Sequence, residues 1–105
     1  MNEIEYSGKR NFLGLPEAYC DPELSRFHVV PVPYDLTATY MAGARFGPQA
    51  IIDASTNLEL YDHEFEGEPA RAGVATLRDV PVDIDPARTQ ENIATVVEGV
   101  LSREK

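Results

Sequence analysis

The sequence predicts an α/β fold built from two consecutive strand–helix units. A β-rich and nearly continuous apolar run, Phe27–Tyr34, is followed by a polar loop and by Gly47-Pro48, a pair typical of a helix start. A second β-branched run, Gly73–Val82, precedes another such start at Asp85-Pro86. Strands that alternate with helices in this way favour a parallel strand pair joined by a right-handed crossover.

The first unit carries signals for where its strand stops and which way its helix faces. Pro31 and Pro33 each remove a ladder N–H group, so the end of this strand is expected to be edge-like or to leave the sheet. The first helix is expected to run from Pro48 to about Leu60. The residues expected to form its sheet-facing stripe are Ile51, Ile52, Ser55 and Leu58.

The second helix has the clearest periodic pattern in the chain. After the Asp85-Pro86 start, apolar residues recur at the spacing i, i+3, i+4, i+7 and i+8, which predicts an amphipathic helix. Arg103 and Lys105 follow at the end where the helix dipole favours positive charge. The apolar face is expected to consist of Ile93, Val96, Val97, Val100 and Leu101.

The N-terminal residues predict an arm rather than a further unit. Residues 1–26 show no sustained period, and their short apolar piece Phe12–Pro16 would have to lie on this domain or on a neighbouring subunit. We therefore divide the chain into an arm, 1–26, and two strand–helix units, 27–105. A parallel sheet normally needs more than two strands, so these units are expected to be the beginning of a larger fold.

Composition narrows the classes of function. The 105 residues suffice for one domain, and they include no apolar run of the roughly 18 residues that a membrane span requires, so a soluble cytoplasmic protein is expected. A net charge of −9 argues against nucleic-acid or anionic-membrane partners and favours a cationic small molecule, although most acids would simply be solvated. The single cysteine, Cys20, excludes an internal disulfide and is expected to be inert.

The loop after the first strand holds the candidate ligand-facing residues. In α/β sheets, ligands are met where a loop leaves the carboxyl end of a strand. Gly43 could supply a positive φ here, and each polar residue of the loop is equally explained by turn chemistry. The loop offers a carboxylate, three hydroxyl groups and a guanidinium fork on Asp35, Thr37, Thr39, Tyr40 and Arg45.

Other chemically suggestive residues have simpler explanations. His28 is expected to be a core or strand-edge histidine, because no second histidine lies nearby at ligand spacing. His63 is expected to be a solvated loop residue, because it lies in the acidic, glycine- and proline-containing connection 62–69. The acids of Asp83-Ile84-Asp85-Pro86 are expected to cap the second helix rather than to bind a metal. Phosphate binding at Gly47-Pro48 is a weak alternative, since no glycine-rich loop with a lysine accompanies it.

The chain contains the motifs PVPYD, T-x-T and AGARFGPQAII-x-x-S-T-N in this order, with FLGLP before them and GVATLRDVPVDIDPARTQENI after them. Their order and spacing resemble the start of agmatinases, within the arginase-like ureohydrolases. Two positions depart from the family pattern. Pro31 stands where the family usually has glycine, and Thr76–Asp79 stands where it often has Asp-x-Gly-Asp.

The resemblance implies that this chain is the incomplete N-terminal βαβα part of a doubly wound, mainly parallel, arginase-like sheet sandwich. It implies a hydrolase of polyamine metabolism that releases urea from a cationic guanidino substrate such as agmatine. Two manganese ions would serve it, held by family motifs that this sequence does not contain. The loop residues Asp35, Thr37, Thr39, Tyr40 and Arg45 would then lie at the rim of the active site, without a catalytic or metal-binding role.

Two hypotheses about the chain itself stay open at this point. In the first it is part of an agmatinase-like enzyme, inactive by itself, whose partners are the remainder of the domain and the other subunits of a homo-oligomer. In the second it is a free-standing, non-catalytic module that docks on a full-length ureohydrolase through its arm and an unpaired sheet edge.

Overall fold

The predicted order of strand, helix, strand and helix is confirmed by the computed structural model, which describes residues 5–7, 10–35 and 43–102. The elements are strand β1 (Phe27–Val29), helix α1 (Gly47–Ser55), strand β2 (Val74–Thr76) and helix α2 (Pro86–Leu101). Short 3-10 turns lie between them at Phe12–Gly14, Glu17–Tyr19, Ala44–Phe46 and Pro69–Ala72.

Strands β1 and β2 form the predicted parallel pair, in which Phe27 is opposite Val74. Both strands are shorter than the predicted runs 27–34 and 73–82. Beyond the strands, the Val80 N–H group donates to the Pro31 carbonyl at 3.0 Å, one residue later than a regular ladder would place that bond. Pro31 has no N–H group to return a bond, so regular pairing stops at this point.

The arm lies on this chain's own surface, along the edge of β2 that faces away from β1. The Ser7 N–H group donates to the Thr76 carbonyl at 2.9 Å, and the Arg78 N–H group donates to the Glu5 carbonyl at 3.0 Å. An ion pair of 2.9 Å joins the Arg78 and Glu5 side chains. Residues 5–7 therefore cover this edge of β2 with an antiparallel partner.

Two buried hydroxyl groups hold the next part of the arm. The Phe12 N–H group donates to Thr76 Oγ1 at 2.9 Å, and the Leu13 N–H group donates to Ser55 Oγ at 2.7 Å. Leu15 then enters the core, where it packs with Ala70 and Val74. This cluster thus forms between the arm, the 3-10 turn Pro69–Ala72 and β2, and it depends on the apolar piece whose location the sequence left open.

Helix α1 ends at Ser55, so the predicted end near Leu60 was wrong. The helix stops because Ser55 and Thr56 carry hydroxyl groups that bond to backbone carbonyls; Thr56 Oγ1, for example, donates to the Asp53 carbonyl at 2.8 Å. The predicted sheet-facing stripe of α1 is correct for two of its four residues and wrong for the other two. Ile52 and Ser55 are buried, but Ile51 is 62% exposed and Leu58 is 60% exposed.

Helix α2 forms as predicted, and Asp85 caps it by accepting a hydrogen bond from the Ala87 N–H group at 3.0 Å. Its apolar face is only partly covered by the described residues: Ile93, Val96 and Val100 are half-buried, and Thr89 is the buried member of this helix. Leu101 is 60% exposed. A sheet of two short strands is too narrow to cover such a face. Arg103 and Lys105 lie outside the described residues.

Gly73 is expected to be irreplaceable by alanine. It has a φ of +94°, and an added Cβ atom would lie 2.7 Å from Ser25 Cα. Strained backbone of this kind costs about 1–3 kcal/mol, so Gly73→Ala should lower the free energy of unfolding by at least that amount in urea denaturation. Gly47→Ala is the matched control, since its Cβ atom would meet nothing within 4 Å. Equal effects of both variants would contradict this prediction.

Ser55→Ala is expected to loosen the arm. It leaves the Leu13 N–H group without its acceptor, which costs about 1–3 kcal/mol of unfolding free energy for a buried group. Ser102→Ala is the control, because Ser102 Oγ also donates to a carbonyl three residues earlier but is exposed at the end of α2. Denaturation curves of the two variants that coincide with each other would refute the role given to Ser55.

Candidate functional site

Asp35 and Arg45 meet at the base of the loop that the sequence singled out. Arg45 Nε donates to both carboxylate oxygens of Asp35, at 3.1 Å to Oδ1 and 3.0 Å to Oδ2. The Arg45 backbone N–H group also donates to Oδ2, at 3.2 Å. Two of the five predicted site residues are therefore in contact. The other three, Thr37, Thr39 and Tyr40, lie outside the described residues.

The pair is buried at one end and exposed at the other. The Asp35 side chain is 2% exposed, whereas that of Arg45 is 51% exposed. The hydrogen bonds from the Arg45 side chain lower the pKa of Asp35 despite its burial, and the same contact raises the pKa of Arg45. Asp35 is thus charged at neutral pH, and both of its oxygens are engaged by Arg45.

The local sequence explains how Arg45 is presented to Asp35. Gly43 precedes the 3-10 turn Ala44–Phe46, which continues into α1 through Pro48. The Asp35 carboxylate takes the Arg45 N–H group near the start of this turn, as a capping side chain does. Gly43 has a φ of −178°, which is ordinary extended backbone, so the suggestion that it uses a positive φ was wrong.

Two aromatic residues next to this pair were missed by the sequence analysis. The Phe46 ring lies beside the Arg45 guanidinium, 5.9 Å from ring centroid to Cζ, close enough for a cation–π contact. The hydroxyl group of Tyr34 is buried and has no hydrogen-bond partner in the part of the chain that the structure describes. The position of both residues directly beside Asp35 and Arg45 in the sequence was the available signal.

The remaining polar candidates have structural roles. His28 Nδ1 lies 3.0 Å from the hydroxyl of Tyr6, which accounts for the histidine at the strand edge. His63 is exposed and packs edge-on against Tyr61. Burial, followed by the nearby acids, raises the pKa of the Cys20 thiol, as expected for an unreactive cysteine.

The geometry therefore defines an α/β unit in which a charged pair joins the two ends of the loop between β1 and α1. The chain belongs to the arginase family, whose model matches residues 25–105. It is 38% identical over 79 residues to the N(1)-aminopropylagmatine ureohydrolase of Thermococcus kodakarensis, which covers 74% of this chain and 27% of that protein. The agmatinase of Bacillus subtilis is 30% identical over 101 residues, covering 95% of this chain and 33% of that protein.

A third relative is also matched over only a small part of its own length. The agmatinase of Pyrococcus horikoshii is 39% identical over 61 residues, covering 56% of this chain and 22% of that protein. The chain therefore corresponds to between 22% and 33% of these relatives, as an incomplete arginase-like α/β unit. No solved structure matches the chain. None of the helices within the described residues is long and apolar enough to cross a membrane.

The arginase family implies a metal cofactor, but the described residues do not fit one. Among residues 5–7, 10–35 and 43–102, no three or more histidine, cysteine or acidic side chains are grouped as metal ligands. Both oxygens of Asp35 bind Arg45, and an Asp83 oxygen accepts a hydrogen bond from the Asp85 N–H group at 2.9 Å. Asp35 is therefore already used in an ion pair, Asp83 as an acceptor within its turn, and Asp85 as the cap of α2, so we assign no metal ligand among the described residues.

Asp35→Asn is expected to lower stability at neutral pH, because it removes the charge that Arg45 binds. Since the pKa of Asp35 is lowered by folding, its contribution is present above the unfolded value of about 3.9 and is lost as pH falls below it. The stability difference between wild type and variant should therefore shrink as the pH falls toward about 3.

Thermal unfolding at a series of pH values would measure this difference. Asp53→Asn is the matched control, because Asp53 is exposed and accepts a hydrogen bond from the nearby Gln49 side chain. A gap between wild type and Asp35→Asn that stays constant from neutral to acidic pH would contradict the assigned ion pair.

Proposed function

We propose that this chain forms the N-terminal part of an agmatinase-like ureohydrolase and that its Asp35–Arg45 pair shapes the rim of the active site. The observation that carries the proposal is the closure of the loop base by this pair, between the end of β1 and the start of α1. Loops at that end of a parallel strand are the usual ligand side of an α/β sheet. The match to the arginase family supports the same assignment.

The proposed reaction of the whole enzyme is hydrolysis of a guanidino compound. The names of the relatives specify agmatine and N(1)-aminopropylagmatine, which share a guanidino group on an amine chain. Water would add to the guanidino carbon, and cleavage of a C–N bond would release urea and an amine. A net charge of −9 favours the approach of such a cationic substrate.

In this proposal the residues of this chain position groups and do not perform the chemistry. A pair of manganese ions, when bound by residues outside those described, would supply the activated water. Arg45 is a positioning residue, because its guanidinium is held by the buried Asp35 carboxylate. Thr37, Thr39 and Tyr40 are proposed to offer their hydroxyl groups at the rim, on the loop whose ends the pair joins.

The proposal also includes the expectations about the division of the chain, about the whole enzyme and about the isolated 105 residues. The first two strand–helix units would occupy residues 27–105, with residues 1–26 as an arm. The enzyme would be a cytoplasmic homo-oligomer of polyamine metabolism. The 105 residues alone would release no urea from agmatine, even with saturating manganese.

A chimera tests the proposal directly. Residues 1–105 of this chain would replace the matching segment of the Bacillus subtilis agmatinase, the relative that covers 95% of this chain. We expect the chimera to release urea from agmatine in the presence of manganese, while the 105-residue chain alone does not. A folded chimera without activity, or activity of the isolated chain after repurification, would contradict the proposal.

Arg45→Ala in the active chimera should reduce kcat/KM for agmatine by up to about 100-fold, because the rim loop loses its fixed base. The positioning role predicts that Arg45→Lys recovers only part of the activity, since lysine lacks the planar fork that contacts both oxygens of Asp35. Arg71→Ala is the control, because Arg71 is exposed and forms a long 3.6 Å ion pair with Glu68. Equal activity of the Arg45→Ala and Arg71→Ala chimeras would contradict the positioning role assigned to Arg45.

A further inference from the structure

We propose that a small cavity beyond the end of helix α1, the amine cavity, binds a short primary alkylammonium ion. The cavity lies between the segment that follows α1 and the 3-10 turn Pro69–Ala72, and the arm contributes to one side of it. Its volume is about 210 Å³. This inference goes beyond the proposed function and does not depend on it. The apolar part of the lining consists of Leu13, Leu58, Leu60, Pro69 and Ala70.

The amine cavity is separate from the rim loop. Arg45 lies just before the start of α1 at Gly47, whereas the lining residues 58–62 follow the end of α1 at Ser55. The nine residues of this helix span about 13 Å. The Asp35–Arg45 pair and the cavity therefore lie at opposite ends of α1, and a short ligand in the cavity does not contact the pair.

The lining provides a surface for an alkyl chain. Ala70 is buried, and Leu13 and Leu60 are half-buried residues that pack against the same core cluster. Leu58 is 60% exposed, so much of its side chain is in contact with water when the cavity is empty. Covering apolar surface is favourable by roughly 25 cal/mol per Å². Cavities for drug-sized ligands are about 300–1,000 Å³, so this smaller one indicates a shorter molecule.

Asp62 supplies a carboxylate oxygen in a fixed position. Its Oδ1 accepts hydrogen bonds from the N–H groups of Glu64 at 2.8 Å and of Phe65 at 3.1 Å. Its backbone forms two further hydrogen bonds with Gly67, at 2.6 Å and 3.2 Å. Among the residues that the structure describes, none donates a hydrogen bond to Oδ2 of Asp62. This oxygen is therefore available to an ammonium group.

Glu59 and Tyr61 add to the attraction for a cation. Glu59 lines the cavity, is exposed and forms no ion pair with another described residue. Tyr61 also lines the cavity, and its ring packs edge-on against His63 with 5.1 Å between the ring centroids. A tyrosine ring attracts an ammonium ion through a cation–π contact.

The charges around the cavity leave its carboxylates without a cation from the same segment. Residues 57–70 include five acidic residues and no lysine or arginine. Arg71 follows directly, but its guanidinium forms an ion pair with Glu68 and lies 5.6 Å from the Tyr19 ring centroid. The local charge therefore favours a positively charged ligand and repels an anionic one.

These features together select one class of ligand. A purely apolar molecule would leave the carboxylates of Glu59 and Asp62 without a partner, and a carboxylate ligand would be repelled by them. A short alkyl chain that ends in an ammonium group satisfies both the apolar lining and the charge. Another segment of protein is the competing occupant, and the last experiment below distinguishes it.

Nuclear magnetic resonance titration of the 105-residue chain with n-butylammonium chloride tests the site. We expect saturable shifts of the Leu60, Tyr61 and Ala70 amides, with the Arg45 amide unchanged. n-Butanol, which has the same chain without the charge, should bind at least about threefold more weakly, and sodium butyrate should give no saturable shift. Absence of saturable shifts with n-butylammonium, or equal binding of n-butanol or butyrate, would overturn the inference.

A pair of charge-removing variants identifies the carboxylate. Asp62→Asn keeps an Oδ1 acceptor for the Glu64 and Phe65 N–H groups but removes the negative charge. It should raise the Kd for n-butylammonium by about two- to fivefold. Glu64→Gln is the matched control, because Glu64 is exposed in the same turn and does not line the cavity. Equal Kd values for the two variants would contradict the role of Asp62.

Hydrogen exchange in the active chimera separates a small ligand from a protein occupant. We expect the amides of residues 58–62 to exchange more slowly when n-butylammonium chloride is added. If these amides are already protected in the chimera relative to the isolated chain and do not respond to the amine, another segment of the enzyme fills the cavity and the inference is wrong. An inactive but folded chimera contradicts the proposed function alone, since the titration uses the 105-residue chain.

Discussion

Hydrogen bonding on both sides of strand β2 is the constraint on which this structure depends. On the β1 side, the Leu77 N–H group donates to the Val29 carbonyl. On the arm side, the Thr76 carbonyl accepts from the Ser7 N–H group and the Thr76 hydroxyl accepts from the Phe12 N–H group. Thr76 is buried, so the arm supplies the partners that its polar groups need away from water. The arm is thereby part of the core rather than an appendage.

The same arrangement explains which surfaces remain open. Since residues 5–7 pair with one edge of β2 and β1 pairs with the other, the unpaired edge of this sheet, among the described residues, is the outer edge of β1. Ile51 of α1 and Leu101 of α2 are exposed because two short strands offer no surface wide enough for both helices. This pattern agrees with a chain that corresponds to a third or less of its relatives in the arginase family.

The Asp35–Arg45 pair joins this framework to the proposed activity. A buried carboxylate without a cation would be strongly unfavourable, so Asp35 holds Arg45, and Arg45 holds the end of the loop against the start of α1. The pair leaves no oxygen of Asp35 for a metal ion. Its contribution is geometric, which is why the proposed role is positioning at a rim and why the chemistry is assigned to residues outside those described.

Local signals in the sequence determined the element order, the Asp85 cap, the span of α2 and the resemblance to the arginase family, which the comparison confirms. These features depend on neighbouring residues, so a pattern suffices to predict them. Only the tertiary structure decided where the arm lies and that Asp35 is buried against Arg45. Those outcomes depend on contacts between residues distant in the chain: Ser55 with Leu13, and Asp35 with a turn ten residues later. Spacing along a sequence does not encode such contacts, because burial and hydrogen-bond satisfaction are settled only when the segments pack together.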